Sequence, residues 1–387
     1  MPEYPRHDLS KGLTIAWLTP RPLRAPRRAA WFSLALAASI VVFVADDLSG
    51  SELSLSLFYL APVAAASWFV GRWAGVSLSL ISTIGWVGAY WLNGRFFSHP
   101  AILYWNVVVE LGVFISLALS LSAVRRGIEI ELGLVTELKE TYARLDRELE
   151  QVGDIQRQLL PEEAPRIPGY RLAVHYATST RAGGDYYDFF TLRDGRFGLL
   201  VADASGHGTP AAVVMAMTRA LVHAAPEALE SPERLLAVAN RELRRSILHG
   251  QFVTACYVTL DPASGRLEYA MAGHNPPYIV RADSGEAEPF ENPTGPPLGL
   301  FEAPDFCRRA ARLGPGDLLA LYTDGITEVA MSDGGLFGEE RLRSLLARHR
   351  AANPETIRDR LLEELGVHSG TSAPADDRTL VLVQADA

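Results

Sequence analysis

Arg181-Ala-Gly-Gly-Asp-Tyr-Tyr-Asp-Phe-Phe190, followed one hairpin later by Val201-Ala-Asp-Ala-Ser-Gly-His-Gly208, is the stretch that decides how this chain folds. Asp185 and Asp203 stand at the ends of apolar, strand-like runs, beside glycines that let backbone approach whatever the carboxylates hold. Within the first run, residues alternate at strand period, so Asp188 points away from Asp185 and is expected to make a hydrogen bond. Further on, Tyr322-Thr-Asp-Gly-Ile-Thr-Glu328 and Ala375-Asp-Asp-Arg-Thr-Leu-Val381 place acids of the same kind beside short buried-strand patterns. An oxygen-only donor set, with no call on Cys or His, suits hard cations such as Mg2+ or Mn2+.

Around these motifs the pattern predicts a strand at Tyr170–Tyr176, a hairpin of Asp185–Leu192 and Arg196–Asp203 turning at Arg193-Asp-Gly195, and helices at Pro210–Ala224 and Pro232–Leu248. Strands follow at Phe252–Leu260, Arg266–Ala272, Pro277–Val280 and Leu318–Tyr322. Helices at Glu339–His349 and Pro354–Leu365 and a strand at Thr379–Gln384 complete the chain. Successive hairpins with a few amphipathic helices predict an α+β domain of two stacked sheets covered by helices, not a parallel βαβ sheet. Cys256 and Cys307 read as buried thiols of a reducing compartment.

Upstream the character changes. The chain has 387 residues, 48% hydrophobic, with a net charge of −9, which argues against a nucleic-acid surface. Four apolar runs, Ala29–Ala45, Leu53–Val70, Trp73–Leu92 and Ala101–Val124, each have the length that crosses a hydrocarbon core of roughly 30 Å as a helix. Arg21, Arg24, Arg27 and Arg28 precede the first, Arg72 separates the second and third, and Arg125 and Arg126 follow the fourth. Asp46, Asp47 and Glu52 make an acidic loop, and Arg95 is the one basic residue against the trend. Basic residues are retained on the cytoplasmic side, so both termini are expected there, in a multi-pass protein of the inner, cytoplasmic membrane. Asn106 and Glu110 share one face of the fourth run, as a sensor group or a helix-packing contact.

Between membrane and motifs, Ile128, Val135, Leu138, Tyr142, Leu145, Leu149, Val152 and Leu159 step by threes and fours, the a/d seam of a parallel coiled coil that predicts a homodimer. Ile155 and Leu160, off that seam, predict that the last turns pack on the following domain. Gly153 marks the handover, and Pro161, Pro165 and Pro168 end the helix. The expected division is a basic tail at 1–28, four membrane helices at 29–124, a signalling helix at 125–160 and a catalytic domain at 161–387.

Taken in order, Gln156-Arg-Gln-Leu-Leu-Pro161, Gly183-Gly-Asp-Tyr-Tyr-Asp188, Asp203-Ala-Ser-Gly-His-Gly208, Ala272-Gly-His-Asn-Pro-Pro277, Tyr322-Thr-Asp-Gly-Ile-Thr-Glu328 and Asp376-Asp-Arg-Thr379 resemble the SpoIIE branch of the PPM metal-dependent serine/threonine phosphatases. The resemblance implies an α-β-β-α sandwich, two Mn2+ or Mg2+ ions, and phosphoserine or phosphothreonine substrates on anti-anti-sigma-type regulators. It implies that Asp203 bridges the two ions, that the Ala204 backbone carbonyl joins the coordination, that Asp185 faces one metal, and that Asp324 and Asp376 hold the other. Asp377 is the less favoured neighbour of Asp376. Where plant and animal members place a histidine two after the bridging acid, this chain has Ser205, and His207 is displaced by two. Arg181, four before Asp185, is a candidate for the substrate phosphate.

Two other functions compete. Gly183-Gly-Asp-Tyr-Tyr187 is superficially similar to the hairpin of diguanylate cyclases, but the Glu is absent and the other acid motifs have no place there. A membrane receptor whose phosphatase-like domain only binds a partner would be expected to have lost some of the acids.

Overall fold

The computed structural model describes residues 25–49, 54–92, 99–291, 295–330, 334–369 and 375–387, so Arg21, Arg24, Glu52, Leu53 and Arg95 lie outside the described residues. The chain divides into two compact units, Met1–Tyr142 and Ala143–Ala387.

In the first unit, α1 (Ala25–Leu48), α3 (Arg72–Leu92) and the apolar part of α4 (Pro100–Leu159) are long and apolar enough to cross a membrane. The second expected span is not. It forms a 3-10 turn (Ser56–Tyr59) and a ten-residue helix, α2 (Leu60–Phe69). Pro62 is the cause: without an N–H it gives the Phe58 carbonyl no helical partner, so it fits only near the start of a new helix. Ten residues at 1.5 Å each reach about 15 Å, half of a hydrocarbon core. Two small cores hold the helices together, Ala35, Val63, Ala66, Leu78 and Ala118 in one and Tyr59, Trp86 and Phe114 in the other. Ile40, Val41, Ile84, Trp105 and Val108 face outward, as residues solvated by lipid do. Asn106 and Glu110 are half-buried on α4.

The second unit is two five-stranded antiparallel sheets. One has the order β1 (Tyr170–Ala177), β10 (Arg378–Ala385), β9 (Leu318–Tyr322), β6 (Tyr278–Val280), β7 (Ala287–Pro289). The other runs β2 (Asp185–Thr191), β3 (Phe197–Ala204), β4 (Val253–Asp261), β5 (Arg266–Ala272), β8 (Arg309–Arg312). Strand alternation sorts the side chains. Leu319, Leu321, Val381 and Val383 enter the core shared with the second sheet. Their neighbours Leu318, Ala320, Tyr322, Leu380 and Leu382 enter a separate core under α8 (Gly338–His349) and α9 (Pro354–Ser369). On the far side, α5 (Thr209–His223) and α6 (Pro232–Ser246) cover the second sheet, α6 burying Leu235, Leu236, Ala239 and Leu243 at helical spacing. The result is the expected α-β-β-α sandwich.

The two edge strands β7 and β8 and the one-turn helix α7 (Asp324–Thr327) are absent from the sequence-based expectation, being three or four residues each. Cys256 is buried in β4, but Cys307 is exposed, because it lies in the stretch before β8 and not in a core strand.

The last turns of α4 belong to this unit. Leu160 enters its core, whereas Ile155, expected to pack beside it, is 62% exposed. The packed face carries Val152, Gly153, Gln156 and Leu159 instead. Gly153 is required there, since a Cβ would run into the Arg181 carbonyl oxygen.

Candidate metal centre

Asp185 opens β2 and Asp203 stands near the end of β3, and the antiparallel register sets the two directly opposite each other. Asp203 also faces Thr254 on β4. From the other sheet, Thr323 follows β9 and Thr379 lies in β10; both hydroxyls donate to Asp185 Oδ2, at 2.7 and 2.6 Å. The Thr379 N–H donates in turn to Thr323 Oγ1 at 2.9 Å. Asp185 is thereby fixed between the sheets and is only 1% exposed. Asp324 starts α7, and Asp376 and Asp377 immediately precede β10, so all five acids gather where the strand ends meet.

The glycines are there for close approach. A Cβ on Gly184 would sit 2.5 Å from the Ala204 carbonyl oxygen and 3.2 Å from Asp203 Oδ1, so both expected ligand atoms point at the space beside it. A Cβ on Gly183 would strike the Asp377 carboxylate. That carboxylate is fully used: Oδ1 accepts the Ser179 N–H at 2.7 Å and Oδ2 the Gly184 N–H at 2.6 Å. Asp377 thus anchors the Gly183-Gly184 loop, while Asp376 is exposed.

Burial pushes the Asp185 carboxyl above the usual carboxylate range; the two threonine hydroxyls pull it back, and Asp377 and Asp324 push it further up. Asp203 is raised by burial and then by Asp185, Asp324, Asp376 and Asp377. Asp324 is raised by burial and by Asp376. Each of these carboxylates thus disfavours ionisation of the others, a cost that a nearby positive charge would offset. Among the described residues no three His, Cys, Asp or Glu side chains converge in ready coordination geometry. The oxygen-only donors suit a hard divalent ion in kind.

Arg181, Ser205 and Asp188 each have a partner nearby. Arg181 is held by Asp146 of α4, through Nε to Oδ1 at 3.1 Å and an NH2 group to Oδ2 at 2.9 Å. Its guanidinium is thus paired with the helix in a solvent-exposed ion pair. Ser205 accepts the Phe252 N–H on its hydroxyl at 3.0 Å, and His207 is exposed. Asp188 points away from Asp185, accepting a hydrogen bond from the Tyr186 hydroxyl and meeting His223 Nε2 at 2.7 Å.

Several supporting residues escape the sequence reading. Thr323 and Thr379 lie inside the quoted motifs, but threonine in a strand reads as β-propensity. Gln156 begins one of those motifs; its Nε2 donates to the Gly183 carbonyl at 2.7 Å and its Oε1 accepts the Gly183 N–H at 2.9 Å. The last turn of α4 thus grips the loop that leads into Asp185. His274, within another of those motifs, is buried, with Nδ1 2.8 Å from the Thr254 hydroxyl.

Burial also drives His274 down to about 4, and burial followed by Arg378 and Arg358 drives His175 down to about 4. An unfolded histidine titrates near 6.5, so below that pH the unfolded chain takes up protons that the folded one refuses. The stability present above pH ~6.5 is then lost as pH falls toward 4, by on the order of 2 kcal/mol at pH 5 for one such histidine. Urea denaturation of the metal-loaded protein at pH 7 and pH 5 should show this loss, and His274→Asn should flatten the dependence. An unchanged slope in that variant would remove His274 as its source.

The sandwich and its strand-end acids define a PP2C-type phosphatase domain. The chain belongs to the SpoIIE family, described as Stage II sporulation protein E, which matches residues 193–386, half of its length. It is 27% identical over 241 residues to the phosphoserine phosphatase RsbP of Bacillus subtilis, covering 61% of this chain and 57% of that protein. The chain spans about half the length of the curated relatives it matches first. Among solved structures, the SiaA-PP2C domain of Pseudomonas aeruginosa superposes with a TM-score of 0.57 at 23% identity, covering 64% of this chain and 99% of that one. The RsbU and RsbW domains of Rv1364c from Mycobacterium tuberculosis superpose with a TM-score of 0.52 at 31% identity, covering 59% and 64%.

Proposed function

We propose that this chain is a membrane-anchored protein serine/threonine phosphatase that hydrolyses phosphoserine or phosphothreonine on an anti-anti-sigma-type regulator. The observation that carries the reading is the Asp185–Asp203 pair in register, with the Ala204 carbonyl and Asp203 Oδ1 converging beside Gly184. RsbP and RsbU, both phosphoserine phosphatases by name, support the substrate class. Asp203 would face both cations, Asp185 would hold one under the control of Thr323 and Thr379, and Asp324 with Asp376 would hold the other. Bound Mn2+ or Mg2+ supplies Lewis acidity toward phosphate oxygens and makes a water acidic enough to attack at neutral pH. The chain's part is to keep the carboxylates apart until the cations offset their repulsion, so no protein nucleophile is needed.

In this reading the three apolar helices anchor the protein in the cytoplasmic membrane with both termini inside. Val135, Leu138, Tyr142 and Leu145 are exposed along one seam of α4, a stripe suited to a second copy of the chain. The fragment Ala143–Ala387 and the full chain in detergent should turn over p-nitrophenyl phosphate or a phosphoserine peptide only with added Mn2+ or Mg2+. The cation should also raise the melting temperature of the fragment, since it binds the folded state alone. Undiminished turnover in excess EDTA would refute the metal mechanism, and metal-dependent stabilisation without turnover would favour the receptor reading.

A further inference from the structure

Arg28, Arg72, Arg125 and Arg126 come from three separate places in the sequence, yet they line one cavity of about 430 Å3 in the first unit. Its other walls include Ser67, Gly71, Ser122 and Glu129. The start of α1, the turn between α2 and α3, and the point where α4 leaves its apolar stretch therefore lie at the same end of the helices.

The four arginines are not equivalent. Arg125 is 9% exposed; it donates to the Trp68 carbonyl oxygen and, through Nε, to Glu129 Oε1 at 2.9 Å. It pins α4 to the end of α2 and uses up the one acid of the cavity. Arg28, Arg72 and Arg126 are exposed, and none forms an ion pair among the described residues. Arg72 lies over the Trp73 ring at 4.7 Å, an arrangement that leaves its N–H edge free. The 21-residue α3 begins at Arg72, and the first N–H groups of a helix have no intrahelical acceptor, so its positive end adds to the same space.

Three guanidiniums with no ion pair among the described residues and a helix N-terminus around one pocket present several donors to an anion, and a phosphate group matches the fork of arginine. The pocket is open on one side and roomy enough to admit a phosphate headgroup. The pocket sits where apolar helices give way to a basic band, with exposed Trp73 at the same level, which is the depth of lipid headgroups. We infer that this cavity binds the phosphate headgroup of an anionic phospholipid, with Arg28, Arg72 and Arg126 as ligands and Arg125 as the residue that builds the floor. The acyl chains would lie along the outward apolar faces of α1 and α4. The site is independent of the catalytic reading, since it uses no residue of the second unit.

The test uses the full chain in an uncharged detergent, titrated with fluorescent phosphatidylglycerol and read by anisotropy. Saturable binding is expected, and a charge near an anionic surface is worth roughly fivefold, so Arg28→Gln/Arg72→Gln/Arg126→Gln together should weaken it by on the order of a hundredfold. The three matching Arg→Lys changes, which keep the charge, should restore most of it and show that the scaffold survives. Arg27→Gln, next in sequence but outside the cavity, should weaken it far less than the triple change. Equal binding in the triple Gln variant, or an equal loss in Arg27→Gln, would overturn the assignment in favour of general surface charge. Displacement by inorganic phosphate as effective as by unlabelled phosphatidylglycerol would overturn the lipid as occupant, and displacement by phosphatidylcholine would overturn the requirement for an anion.

Discussion

Asp203→Asn should leave a folded protein with its turnover reduced by roughly a thousandfold or more, the scale expected when metal-assisted hydrolysis loses a shared ligand. The amide keeps the shape and the register opposite Asp185 and Thr254, so the sheet has no reason to rearrange. What changes is charge. Asp203 is a carboxyl that burial and four neighbouring acids push toward its neutral form, so an amide removes a cost from the metal-free fold. The melting temperature without metal should therefore hold or rise, while the increment given by Mn2+ or Mg2+ largely disappears. Asp188→Asn is the control on the neighbouring strand β2, where it lies opposite Leu200 on the other face of the hairpin. There the carboxylate serves the Tyr186 hydroxyl and His223, so the substitution should lower stability and spare the response to metal. If Asp203→Asn turns over at near-normal rate with unchanged melting, Asp203 does not bridge the cations.

The β2–β3 hairpin could be read from the sequence because three independent signals agree there: strand alternation from Asp185 to Phe190, a turn at Arg193-Asp-Gly195 and an apolar run returning to Asp203. Gly195 adopts a φ of 85°, which glycine accepts without strain. The acids were legible for a similar reason, since a carboxylate at the end of a buried strand is expensive without a partner. Their supports were not. Thr323 and Thr379 reach Asp185 across the gap between two sheets, over separations of 138 and 194 residues, and no local pattern encodes such a contact. The pairing of Arg181 with Asp146 was equally hidden, since the two lie 35 residues apart and meet only through the course of α4. The second apolar run misled through length alone, because hydropathy counts Pro62 as a neutral residue while the backbone loses a donor there.

Gln156 carries the last and most structure-dependent expectation. Its side-chain amide satisfies both the N–H and the carbonyl of Gly183, in a buried setting where neither group can turn to water. Gln156→Leu keeps most of the volume but orphans both, at a cost of about 1–3 kcal/mol for each unsatisfied group. Gly184 would still be tied to Asp377, so the loop should loosen without unfolding. Because Gly184 adjoins both Asp185 and the Ala204 carbonyl, loosening should appear first as a higher Mn2+ concentration for half-maximal activity, by on the order of tenfold, a 1.4 kcal/mol effect on metal binding. Turnover at saturating Mn2+ should fall less. Gln156→Glu can still accept from the Gly183 N–H but cannot donate to the carbonyl, and should lie between the two. A purely structural glutamine predicts lower melting with an unchanged metal requirement, and that outcome would confine Gln156 to packing. The expected outcome instead makes the seating of α4 a determinant of metal affinity, since the same helix face that carries Gln156 also carries Gly153 against Arg181 and Asp146 paired to it. A change at α4 would then reach the catalytic acids through one side chain and one loop.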